Sequence, residues 1–150
     1  PINYWMIISA AEIVRRLNQE HGAGNLVIRP YNRESQQPAS YDLRSADEIL
    51  LRCGTCTLVP TVEWVELPMD LAGTIRCRSS FERRGVLLGA GFVDPGFRGQ
   101  LTLCLTNMGK GEIKVNKNDR VAQMVLHEVR NPVECYSGRY QDSYGVVDAK

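Results

Sequence analysis

From Tyr31 onward the chain is written as short runs of Val, Ile, Leu and Thr broken by Gly, Pro, Asn and Asp. That spacing leaves room for strands and turns but not for helices of ordinary length. The runs predict strands at Leu26 to Ile28, Glu48 to Arg52, Cys56 to Leu67, Gly73 to Arg78, Gln100 to Thr106, Glu112 to Val115 and Arg120 to Val129. Gly109-Lys110-Gly111 predicts a tight hairpin between two of them. Pro60 removes a ladder donor and marks a strand start or an edge. A mainly β sandwich or barrel is the fold class this pattern implies. One helix stands apart from it. Ser9-Ala10-Ala11-Glu12 is a capping box, Ile8 and Ile13 stand where a hydrophobic staple would put them, and Gly22 and Gly24 are the expected stop. Arg15 and Arg16 fall on the face opposite Ile13, Val14 and Leu17 and read as solvated charge.

At 150 residues and 43% hydrophobic the chain supports one core, so residues 1–150 read as a single domain, with residues 136–150 a polar, aromatic arm that can be mobile. A net charge of +1 leaves no overall field to hold nucleic acid or an anionic membrane. No apolar stretch approaches the roughly 20 residues of a membrane span, and Ile7 to Ala11 is too short and too soon charged for a signal peptide. A soluble, cytoplasmic protein is expected, of host cytoplasm if the source is viral. The five cysteines are odd in number and scattered, unlike a secreted disulfide framework. Cys53-Gly-Thr-Cys56 has the spacing of half a zinc site, but His21 and His127 do not form the other half. The pair reads as half-buried strand cysteines, the other reading being a local or intersubunit disulfide.

Two segments carry groups suited to a nucleoside triphosphate. Arg78-Ser79-Ser80 offers a guanidinium fork with two hydroxyls at a strand end, donors that phosphate oxygens require. Arg83 reaches the same ligand or pairs with Glu82 as surface charge. Asp94 sits between Gly89-Ala90-Gly91 and the turn Pro95-Gly96, where small residues let a slot close on a flat ring. Backbone groups of Ala90, Gly91, Phe92 and Val93 could read the edge of a base there. The plain alternative is that Asp94-Pro95-Gly96 is only a β-turn.

Arg78 to Arg83, together with Gly91 to Gly99 and the strand that follows, resembles the shared signature of dCTP deaminases and dUTPases. Gln37 to Arg44 looks like the first motif of that superfamily, and Asn118 to Met124 like the fourth. Tyr136 to Gln141 is similar to the deaminase-type closing segment. The resemblance runs over roughly residues 7 to 145 and implies a distorted jelly-roll subunit, assembled as a homotrimer with sites shared between neighbouring chains. Carried onto this sequence, it makes Asp94 the group that binds the deoxyribose 3'-hydroxyl and activates water. Arg78, Ser79 and Ser80 hold phosphates, Gln123 supports the base or phosphate side, and Arg139, Tyr140 and Gln141 close over the triphosphate. It also implies magnesium carried by the triphosphate with mostly water ligands. No residue ligates the ion directly; Asp42 is the nearest candidate for an outer contact, or else a buried structural aspartate. Glu82 and Ser143 depart from the family's usual residues.

One position separates the two activities of the superfamily. The deaminases carry a glutamate ten residues past the aspartate, and here that place holds Cys104. Deamination needs a group that takes a proton from water and delivers it to the ring and the leaving nitrogen. A buried thiol lacks the oxygens, and Gln100 to Asn107 contains no acid. Hydrolysis of dUTP to dUMP and pyrophosphate asks only for aligned water and neutralised phosphate charge, which the remaining residues supply. A dUTP diphosphatase is the expectation. Its rivals are a dCTP deaminase or bifunctional enzyme, and a non-catalytic protein that senses dUTP or dTTP.

Overall fold

The computed structural model describes residues 6–19, 22–89 and 91–150. The helix α1 spans Ala10–Leu17 and is capped by Ser9, whose Oγ accepts the Glu12 N–H at 3.4 Å. Ile8 and Ile13 are both buried in the core, as a staple requires. The helix stops at Asn18, short of Gly22, because the returning chain takes over its last carbonyls: Leu26 N–H donates to Arg16 O.

The face expected to be solvated is so only at Arg15. Arg16 is 6% exposed, its guanidinium held by Glu12 Oε1 at 2.8 Å, by Asp70 Oδ2 at 2.8 Å and by the Gly24 carbonyl. Carboxylates on two sides make that burial tolerable. The Glu12 carboxyl, bonded by Arg15 and then Arg16, is pulled from the usual 4.5 down to about 2. A folded-state value below the unfolded one gives stability that is present above pH 4.5 and lost as pH falls toward 2. Glu12→Gln is therefore expected to flatten the fall of melting temperature between those two pH values, followed by circular dichroism. An unchanged acid limb would deny the pair that role.

Among the described residues eleven strands follow the helix. They are β1 (Val27–Arg29), β2 (Gln36–Gln37), β3 (Ser40–Arg44), β4 (Ile49–Leu51), β5 (Cys56–Glu66) and β6 (Leu71–Cys77), then β7 (Val86–Leu88), β8 (Phe92–Val93), β9 (Arg98–Asn107), β10 (Ile113–Val115) and β11 (Arg120–Glu128). A short helix α2, Ser79–Glu82, interrupts them. One sheet has the order β1-β5-β9-β7, a second β2-β3-β11-β6-β8, and a two-stranded ladder joins β10 to β4. Every pairing between these strands is antiparallel. Tyr41, Leu43, Met124 and Leu126 from the five-stranded sheet share one core with Val59, Val65, Leu103 and Leu105 from the four-stranded sheet. The mainly β fold expected from the sequence is observed.

One local expectation fails, and a second holds only in its edge form. Gly109-Lys110-Gly111 is not a hairpin between paired strands, because β10 pairs with β4 and not with β9. The buried Asn107 side chain makes the turn instead, donating to Leu51 O and Gly111 O and accepting the Gly109 N–H, each at 2.9 Å. Pro60 lies inside β5 and starts no strand. The register against β9 shifts between Pro60 and Trp64, while β1 pairs with β5 only from Trp64 on, so the proline sits beside a bulge on a stretch of edge met only by the Ser45–Thr61 bridge and the Ala46 N–H donating to Pro60 O at 2.9 Å.

The two sheets are also joined by charge. Glu63 on β5 is fully buried, and its carboxylate accepts the Arg44 backbone N–H at 2.9 Å and Arg44 Nε at 2.6 Å. Burial pushes the Glu63 carboxyl up while the Arg44 bonds pull it back. Alternation explains the need: Val59, Thr61 and Val65 are inward residues of β5, with Leu67 continuing the set just beyond it, so a glutamate among them must have a partner.

Candidate functional site

The turn after β8 is where the site begins. Phe97 N–H donates to Asp94 O at 3.2 Å, and Gly96 has φ +80°, as the third position of a type II turn demands. A Cβ at Gly96 would also lie 2.5 Å from Cys135 Cβ. The plain reading of Asp94-Pro95-Gly96 as a turn is thus correct, and the turn is what holds Asp94 at the rim of a cleft of about 580 Å3. That volume lies within the range of small-molecule sites. Gly89, Gly91, Phe92 and Val93 form one side of the cleft, Gln100 to Cys104 of β9 the floor, and Tyr136 and Tyr140 the other side. Residue 90, expected to contribute a backbone group, lies outside the described residues. Asp94 is exposed and is the only carboxylate among the lining residues described.

The closing segment packs onto this cleft. Tyr136 stacks edge-on against Phe97 with centroids 5.7 Å apart. Gln141 donates to Gly96 O at 2.9 Å and accepts the Arg98 N–H at 2.9 Å, so it clamps the strand that follows the Asp94 turn. Gly145 and Val147 N–H groups donate to the Gln100 and Thr102 side chains on the floor. Arg139 is exposed and bonds the Lys150 carbonyl. Of the three closing residues, Tyr140 lines the cleft, Gln141 braces it and Arg139 stands outside.

Arg78, Ser79 and Ser80 lie elsewhere. They leave the end of β6, where Cys77 pairs with Ala122. Arg78 Nε is 3.1 Å from Asp42 Oδ2, with Arg120 Nη1 at 3.5 Å from the same oxygen. Asp42 is 1% exposed, and Oδ2 receives no aligned hydrogen bond from either guanidinium. Burial raises its carboxyl above the ordinary range, opposed by Arg78 and then Arg120. Ser79, Ser80 and Arg83 are exposed on or after α2, and Gln123 on β11 faces Ser40 Oγ at 3.5 Å.

One chain does not bring the two groups together. Val93 pairs with Gly73 on β6, and Arg78 lies five residues further along. At about 3.3 Å per residue that separates the Asp94 turn from Arg78 by roughly 16 Å. Three participants were not singled out from sequence. Arg120 is the second cation on Asp42, and Gln100 and Tyr136 shape the cleft. Arg120 carried a signal as a charge heading an alternating apolar strand, and Tyr136 as the first residue of the closing segment, while Gln100 carried none.

Residues 44–129 match the dCTP deaminase-like family. The chain belongs to that family. This family member is 33% identical over 141 residues to a dCTP deaminase of Pyrococcus abyssi, covering 83% of this chain and 92% of that one. It is 37% identical over 110 residues to a dUMP-forming dCTP deaminase of Halobacterium salinarum, covering 69% of this chain and 56% of that one. Among solved structures, the Agrobacterium tumefaciens dCTP deaminase superposes with a TM-score of 0.69 at 18% identity, covering 85% of this chain and 49% of that one. A dUTPase variant of phage phi11 of S. aureus, described with a structural Mg(II) ion, superposes with a TM-score of 0.60 at 18% identity, covering 77% of this chain and 99% of that one. Both neighbours share the fold of this family member, so the jelly-roll expectation stands. Among its described residues no helix is long and apolar enough to cross a membrane, and no group of three or more His, Cys, Asp and Glu is placed to hold a metal ion.

Proposed function

We propose that this protein is a dUTP diphosphatase that hydrolyses dUTP to dUMP and pyrophosphate. The observation that carries the reading is that Asp94 is the single carboxylate among the described lining residues of the cleft. Asp94 supplies one base, while the place where a deaminase would carry its glutamate holds Cys104, a floor residue of the same cleft. One carboxylate suffices to draw a proton from water attacking the α-phosphorus as the bond to the β-phosphate breaks. It does not suffice to shuttle protons to a pyrimidine ring as well.

The cleft takes the deoxyuridine: glycines 89 and 91 admit the ring, and Gly91, Phe92 and Val93 present backbone groups to its edge. The phosphates extend toward Arg78, Ser79 and Ser80, with Arg83 and Gln123 flanking. Because these stand roughly 16 Å from the Asp94 turn along β6, the phosphate ligands are supplied by a neighbouring subunit of a homotrimer, whose shared sites the single chain leaves incomplete. Magnesium would be carried by the triphosphate itself and would supply screening of its charge, with Asp94, Arg78 and the two serines acting on the nucleotide. Asp42, facing two guanidiniums, orients Arg78 better than it would serve a cation.

The relatives named as deaminases favour the second reading, a dCTP deaminase or bifunctional enzyme. Incubation with magnesium and either dUTP or dCTP, resolved by ion exchange, separates the readings. The expected result is dUMP and pyrophosphate from dUTP alone. Appearance of dUTP or dUMP from dCTP would overturn the Cys104 argument, and consumption of neither would leave a nucleotide-binding protein.

A further inference from the structure

Cys104 lines the cleft and has a second thiol, Cys56, directly beside it, a pair that the hydrolytic reading does not use. Cys56 pairs with Thr106 and Cys104 with Leu58, so the two cysteines are diagonal neighbours on one face of the β5–β9 ladder. Sheet twist brings this diagonal together, and the two Sγ atoms lie 2.9 Å apart. Cys56 is exposed and Cys104 half-buried against Gly89, where a Cβ would come within 3.5 Å of the Cys104 sulfur. The other three thiols are placed differently: Cys77 is buried, Cys53 Sγ takes the Gly111 N–H at 3.1 Å, and Cys135 packs against Gly96.

We propose that Cys56 and Cys104 are a redox-active dithiol at the edge of the cleft, closed to a cross-strand disulfide by a low-molecular-weight disulfide and reopened by a small thiol. Cys56, open to solvent, gives its proton to water and attacks one sulfur of the small disulfide, whose S–S bond breaks to release one small thiol. Cys104 then loses its proton and attacks Cys56 Sγ, expelling the second small thiol. Two protein thiols are oxidised by two electrons, and one small disulfide is reduced to two thiols. The order follows from the environment, since the Cys56 hydrogen bond and then burial raise Cys104's affinity for its proton. The bond ties β9 to β5 through Cys104, the one thiol among the described lining residues, so it changes the surface against which the base is proposed to lie. The covalent step does not depend on the hydrolase reading.

The test treats the whole protein with oxidised glutathione and reads it by intact mass, peptide mapping, thiol titration under denaturing conditions and melting temperature. Free thiols should fall from five to three, with a peptide linking Cys56 to Cys104. The bond spans 48 residues, so the melting temperature should rise by roughly 5–10 °C and return on reduction. Cys56→Ser and Cys104→Ser should each abolish the link and the rise, and Cys53→Ser should keep both. A Cys53–Cys56 link, a glutathione adduct that persists on Cys56, or five thiols still titrating would overturn the proposal. None of these readouts uses dUTP, so a protein inactive on dUTP could still pass the test, and an active one could fail it.

Discussion

Asp94→Asn should lower dUTP turnover by at least about a hundredfold, because a positioned general base contributes about 10² to 10⁴. The substitution keeps the volume of the side chain and the backbone of the turn, whose Asp94 O to Phe97 N–H bond and Gly96 conformation do not involve the carboxylate. Its cost therefore falls on chemistry. The loss should appear in kcat, with binding of a non-hydrolysable dUTP analogue retained and the melting temperature unchanged. No neighbouring acid can take over, since no other carboxylate lines the cleft among the described residues. Turnover within a few-fold of the parent would remove Asp94 from the role and with it the proposed mechanism.

How far that site could be read from sequence depended on what kind of signal each residue sends. Long strands announce themselves by alternation, so β5, β9 and β11 were legible almost to their ends. The short strands β2, β7 and β8 have two or three residues each and no period to detect. β3 was missed for another reason: Ser40, Tyr41, Asp42 and Leu43 are all buried, so the strand has no polar face and carries an acid where an apolar residue is expected. Asp94 was legible because glycine and proline state their backbone needs openly. Arg16 was misread because an amphipathic helix assigns its charged face to solvent, and nothing local reveals that Asp70 closes over it. The separation of Arg78 from Asp94 was not legible at all. It arises from which strands lie side by side, and no local pattern encodes that β8 meets β6 at the end remote from Arg78.

That separation makes the second large effect a double one. Arg78→Met should abolish turnover, by removing the proposed phosphate ligand, and should also weaken the fold. Asp42 would keep only Arg120, at 3.5 Å, against nearly complete burial. Stranding a buried carboxylate costs about 3–5 kcal/mol, and the remaining guanidinium places the loss toward the lower end. The pH dependence distinguishes this cause from lost packing. Burial already raises the Asp42 carboxyl from 3.8, and a folded-state value above the unfolded one means stability that is full below that pH and lost as pH rises through the raised value. The variant should thus lose more stability at pH 7 than at pH 4, and Asp42→Asn in the same background should restore most of it without restoring turnover. Two inactive variants then test the shared site. If Arg78 serves Asp94 of a neighbouring chain, unfolding and refolding Arg78→Met together with Asp94→Asn makes mixed trimers in which about a quarter of the sites hold both native residues, and a corresponding share of activity should return. If each chain carries its own complete site, no mixture recovers activity, and the roughly 16 Å between these groups along β6 must instead be closed by movement within one subunit.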